Sequence, residues 1–205
     1  MFLKQKVTAI LIQNLNWFIL ALLFFILGII TSVLAFGDGR FFLTELTESQ
    51  QELLYELAQS IFEAPPLIGI MRLFLHNLFA SLQMILMGIF LGIVPLIGLF
   101  TNGALLGSIA AGLVNEDIPL LAFMSLGILP HGIFELPAFF ISSAFGMKMG
   151  FHLVFPLPQK KRWESLRYVW KEFFLLLPLI LSLLIIAAII EILVTPMLIQ
   201  LIIKN

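Results

Sequence analysis

The sequence contains no cysteine, and only 11% of its 205 residues are Asp, Glu, Lys or Arg. Without cysteine a disulfide scaffold is excluded, and thiol chemistry with it. Soluble domains carry about a quarter charged residues, so this scarcity argues against a water-facing globule and against a disordered chain. A cationic excess is missing too, since 11 Lys and Arg stand against 12 Asp and Glu. That balance leaves no electrostatic footprint for a nucleic-acid partner. No phosphate-binding glycine loop, serine nucleophile elbow or nucleotide fingerprint is found. What is present is apolar: 61% hydrophobic residues and a mean hydropathy of +1.11. A soluble surface made from this composition would expose large greasy patches. The composition defines an all-α polytopic membrane helix bundle, a single transmembrane domain over residues 1–205, with the lipid bilayer as its first partner.

A hydrocarbon core of about 30 Å requires roughly 20 apolar residues as helix. Five stretches qualify, at about 17–36, 73–94, 96–114, 118–147 and 173–203. The apolar run of the first exceeds the 7–15 residues of a signal peptide, so it is expected to be a retained span. The last two exceed the bilayer thickness, and Pro130, Pro137, Pro178 and Pro196 supply points at which to kink or break. Lys4 and Lys6 precede the first span, and a basic connection at about 148–172 carries Lys148, Lys160, Lys161, Arg162, Arg167 and Lys171. The intervening outer connections are mostly acidic. Lys and Arg set orientation, so the chain is expected to be N-in and C-out, a multi-pass protein of a plasma membrane. Trp163, Tyr168 and Trp170 interleave the basic connection as an aromatic belt, and anionic lipid headgroups are its natural secondary ligand. His152, among Phe151, Leu153 and Phe155, reads as an interfacial side chain.

Between the first two spans, residues 44–63 have the pattern of an outer amphipathic helix. Leu46, Leu53, Leu57 and Ile61, joined by Leu54, Ala58 and Phe62, form a stripe at helical spacing, and Pro65-Pro66 ends it. Two roles fit this stripe: a lid lying on the bundle, or docking of an extracytoplasmic protein partner. Small residues recur as Gly88/Gly92 and Gly103/Gly107, the GxxxG spacing that lets membrane helices pack closely. The pairs suit packing within one protomer, and a homodimer is the alternative.

The informative residues are polar groups at membrane depth. Of the twelve acids only Glu135 and Glu191 lie in apolar stretches, together with His131, His76, Asn77 and Asn102. A charge near the bilayer centre costs at least about 2.5 kcal/mol, so these groups must face the interior, pair or line water. His131 and Glu135 stand four apart and share one helix face. Pro130 sits as at the first position of a helix and Pro137 follows, which suggests a broken fourth span with a half-helix N-terminus at mid-depth. Rise per residue puts His131 about 20 Å and Glu191 about 18 Å from the outer ends, with His76 and Asn77 nearer the outer face and Asn102 nearer the inner one. Four roles fit the set. They are interhelical glue, a proton or cation permeation site, a metal site with His131, Glu135 and Glu191 as ligands, and metal-dependent intramembrane hydrolysis. No cofactor is demanded, and a bound metal or other cation is the one group the pattern admits.

The run Pro130-His131-Gly132-Ile133-Phe134-Glu135-Leu136-Pro137-Ala138 resembles the signature of the stage II sporulation protein M family, multispan proteins of bacteria and archaea. Phe74 to Asn77, Thr101-Asn102-Gly103 with Gly107, and Glu191 to Pro196 agree with it, so the resemblance covers essentially the whole chain. It implies a prokaryotic, non-enzymatic membrane scaffold or anchor for partners such as cell-wall remodelling enzymes. The residues themselves point to the alternative, an ion, proton or small-solute channel or transporter.

Overall fold

The computed structural model describes residues 2–35, 52–53 and 55–203. Helices α1 (Phe2–Gln13) and α2 (Leu15–Ala35) are separated only at Asn14, whose side-chain amide donates to the Ile10 carbonyl at 2.8 Å. Helix α3 (Pro66–Met87) and helix α4 (Ile93–Asn115) form a hairpin through the Gly88–Gly92 turn. The fourth span opens with one turn at Leu120–Phe123, passes through a π-helical turn at Met124–Ile128 and continues as α5 (Leu129–Val154). Helix α6 (Arg162–Leu193) and helix α7 (Thr195–Ile203) complete the order, and no strand occurs among the described residues.

Five helices are long and apolar enough to cross a bilayer: Leu15–Ala35, Pro66–Met87, Ile93–Asn115, Leu120–Val154 and Arg162–Leu193. The chain is a polytopic helical membrane protein. Large apolar side chains such as Leu22, Ile26 and Ile30 of α2 are exposed and suit lipid contact. The third span, at 23 residues, is long enough for a full crossing.

The principal core lies between α3, α5 and α6, where Ile85, Ile141, Phe145, Phe173, Leu176 and Ile180 are sealed. Residues 141–150 are buried without interruption, so this half of the bundle is filled. A second core joins α2, α4 and α5 through Phe25, Leu99, Ala144 and Met147. Helices α2 and α4 meet backbone to backbone. A Cβ on Gly103 would collide with the Phe25 carbonyl, and one on Gly107 would stand 2.6 Å from the Ile29 carbonyl.

Several boundaries differ from the expected ones for identifiable reasons. The break in the fourth span takes the form of the π turn rather than a gap. Pro130 has no N–H to donate and its ring crowds the carbonyl four residues earlier, and the wider turn just before it relieves both. Pro137 lies inside α5 without ending it. Gly88 and Gly92 are not a packing pair on one helix. Gly88 caps α3, Gly92 opens α4 with a φ of +73°, and the turn they make lies against Gly146 and Gly150 of α5. The basic connection shrinks from 148–172 to 155–161, because α5 runs on to Val154 and α6 begins at Arg162. The Glu164 carboxylate accepts from the Lys161 N–H at 2.8 Å and caps α6 at that point. Val194 interrupts the last helical stretch ahead of Pro196, so the span expected at 173–203 divides into α6 and α7.

The outer segment is helical at 52–53 and 55–62. Ile61 is 2% exposed against Leu73 and Ala188, with Leu57 beside it, and Arg72 donates to the Ser60 carbonyl at 2.7 Å. Leu57 and Ile61 of the apolar stripe lie on the bundle, whereas Leu53 and Phe62 are exposed. Residues 44–51 and 54 of the expected helix lie outside the described residues.

Candidate functional site

The π turn ends at Ile128, and the first full turn of α5 then carries His131 and, one turn on, Glu135. Across from them α6 presents Glu191 in its last turn, and Thr195 opens α7 beside it. The His131 Nε2 lies 3.9 Å from a Glu191 oxygen, and its Nδ1 lies 3.4 Å from the Thr195 hydroxyl. One ligand-capable atom each from His131, Glu135 and Glu191 can be chosen so that all lie within 4.8 Å of one another. All three residues are half-buried. Two carboxylates this close repel each other strongly in a low-dielectric setting unless a proton or a cation joins them.

The three groups share their surroundings with other polar side chains. They line a cavity of about 460 Å³ to which α3 contributes His76 and Asn77 and α4 contributes Asn102. All six polar residues singled out in the sequence therefore meet at one cavity, including the three expected nearer one face or the other. His76, Gln83 and Asn102 are exposed at its rim. Asn77 is buried, and its amide nitrogen has no hydrogen-bond partner among the described residues. Asn102 donates its amide to the Gly98 carbonyl at 2.7 Å, which leaves its oxygen free to accept. Leu57, Ala58, Ile61 and Phe62 of the outer segment roof the cavity, and Phe25, Leu136 and Phe139 give it apolar walls. Pro130 and Pro137 do not line it; they shape the helix that does.

The donor set of one imidazole and two carboxylates suits a divalent cation, a proton or a hydronium-like species. A tetrahedral ion with bonds of about 2.1 Å places its donors about 3.4 Å apart. Small side-chain rotations toward a centre would be required, and the Thr195 hydroxyl beside His131 supplies a further polar contact.

Two further polar contacts went unread in the sequence. Thr195 was missed because a hydroxyl two residues beyond a helix end carries no periodic signal. The second is a buried cluster at the opposite end of the bundle. Lys148 of α5 donates to Asn14 at 2.6 Å and forms an ion pair with Glu172 of α6. Lys148 and Glu172 are each 6% exposed, so neither is a loop charge. His152 is buried nearby, its Nδ1 3.0 Å from the Phe155 carbonyl and its ring edge-on to Trp17.

A bundle of five helices long enough to cross a membrane, with a polar cavity between them, defines the class of protein. The family model described as Stage II sporulation protein M matches residues 21–196, from α2 into the first turn of α7. The chain belongs to that family. It is also 38% identical over 97 residues to an uncharacterized protein of Methanocaldococcus jannaschii, a match covering 47% of this chain and 52% of that protein. The matched region thus spans about half the length of this curated relative. No solved structure matches the chain.

Proposed function

We propose that the chain is a cation- or proton-handling membrane protein whose working site is His131, Glu135 and Glu191. The observation that carries this reading is the convergence of these three side chains, within 4.8 Å of one another, on the wall of one cavity. Interhelical glue would leave each polar group satisfied, yet the Asn77 amide is not, and the exposed rim residues His76, Gln83 and Asn102 require water. A hydrated cavity with paired carboxylates at mid-depth is the arrangement on which intramembrane ion binding depends. The test is flux in proteoliposomes under imposed proton, monovalent and divalent gradients. Wild type should conduct at least one of these, and Glu135→Gln or Glu191→Gln should lower that flux at least tenfold while the protein stays monodisperse. No wild-type flux of any kind, or unchanged flux in both variants, overturns the proposal. Elemental analysis separates the species: a resident divalent ion should be lost in His131→Ala.

A second reading, a scaffold for extracytoplasmic partners, is supported by the family and by the outer segment. There Leu53 is 64% and Tyr55 71% exposed while Ile61 is packed beneath. On this reading, reversing the charges of Glu48, Glu52 and Glu56 should release a co-purifying partner from an intact bundle. Retention of that partner after all three changes sinks it.

A further inference from the structure

Helix α6 is longer than a bilayer core requires. Its 32 residues span about 48 Å, against a hydrocarbon thickness of about 30 Å. The apolar run of α6 begins at Phe173, and the turns ahead of it carry Arg162, Glu164, Arg167 and Lys171, a composition that suits the headgroup layer. An open groove of about 700 Å³ lies along those turns. Arg167 and Lys171, one turn apart, line it together with Lys160 from the end of the connection. The Lys160 Nζ sits 4.0 Å above the Tyr168 ring, a cation–π contact that holds the ammonium at the groove. The one acid in the lining, Glu164, is already engaged by the Lys161 N–H. At the other end the groove is walled by Trp170 and Phe174, whose rings stack with centroids 5.5 Å apart, and Phe174 is 58% exposed.

The layout is graded along the helix axis: Lys160 and Arg167 stand toward the water, Trp170 and Lys171 share one level from which the lysine stem can reach back, and Phe174 stands toward the hydrocarbon. We propose that this groove binds an anionic phospholipid, its phosphate between Lys160, Arg167 and Lys171 and its acyl chains running down past Trp170 and Phe174. A free phosphate uses only the cationic end. A neutral phospholipid uses only the aromatic end, and charge complementarity selects an amphiphile that uses both. The site lies at the opposite end of the bundle from the His131 cavity and stands independently of the function proposed for it.

The experiment uses the purified full-length chain in detergent, delipidated and then titrated with phosphatidylglycerol, phosphatidylcholine or inorganic phosphate. Bound lipids are counted by native mass spectrometry, and thermal unfolding is followed in parallel. Phosphatidylglycerol should be retained and should raise the unfolding temperature, whereas phosphatidylcholine and inorganic phosphate should do neither. Each lost cation near the surface should weaken binding about fivefold, so Arg167→Gln with Lys171→Gln should weaken it about 25-fold. Lys4→Gln, a basic residue outside the groove, should leave binding unchanged. Lys160→Gln lies outside any helix and gives a fivefold test should the double variant fail to fold. Equal retention of the neutral lipid, an equal thermal shift from phosphate alone, or full binding by the groove variants overturns the proposal.

Discussion

Lys148 shows how little a single charged letter says about its surroundings. Beside the end of an apolar stretch it reads as the first charge of a cytoplasmic connection, yet it is buried and paired with Glu172 and Asn14. The flanking Gly146 and Gly150, which allow the Gly88–Gly92 turn to lie against α5, were the sequence sign that the helix continues in a packed setting. Removing one member of a buried pair strands the other. Lys148→Met is expected to cost about 3–5 kcal/mol, while Lys148→Met with Glu172→Leu recovers most of it, because apolar replacement of both partners is close to neutral. Thermal unfolding in detergent checks the sign of the difference. The central site was easier to read. His131 and Glu135 share a face by spacing alone, and Glu191 joined them by depth because a lone acid in a hydrocarbon run needs a partner. Sequence spacing could not reveal that His76, Asn77 and Asn102 open onto the same cavity, since this depends on how far α3 and α4 splay apart.

Helices with the same small-residue spacing meet different fates. Gly103 and Gly107 bring α4 onto the α2 backbone, whereas Gly88 and Gly92 bound a turn because Gly92 adopts a left-handed φ and ends the helical continuity between them. The GxxxG pattern states only that small residues recur; whether a helix runs through both is decided by local backbone conformation. In a helix interior Gly→Ala is ordinarily favourable by about 1 kcal/mol. At Gly103 that sign should reverse, because the new methyl meets the Phe25 carbonyl, and overpacking costs about 1–3 kcal/mol. Gly112→Ala, where nothing lies within 4 Å, should be neutral or stabilising. Comparing the two unfolding temperatures tests whether α2 and α4 pack through bare backbone. The proline positions were legible as irregularities in the fourth and fifth spans, but their form was not. A π turn and a one-residue break are both local answers to a missing N–H, and the choice rests on neighbouring packing.

Across the whole molecule, the five spans were readable from run length, since few other structures place 20 apolar residues in succession. Their ends were not, because α6 carries polar turns ahead of its apolar run and α3 starts at Pro66, on the far side of Arg72 from the expected span. The charges outside the spans predict an N-in orientation, and the absence of cysteine makes it directly measurable. Single cysteines at Glu56 and Glu116 should react with a membrane-impermeant maleimide in intact cells, and one at Trp163 only after permeabilisation; the reverse pattern would invert the topology. The filled half of the bundle below the cavity has an electrical consequence. From Leu120 to His131 the helix descends about 16 Å, roughly half of a 30 Å core, while the packed residues 141–150 close the way beyond. On the function proposed above, a monovalent cation bound at His131 from the outer side would have crossed about half the transmembrane field. A change of 100 mV then alters its binding by about 1.1 kcal/mol, close to sevenfold, and a divalent ion by twice that free energy. Occupancy of the cavity measured in vesicles at clamped potential should follow voltage as well as concentration.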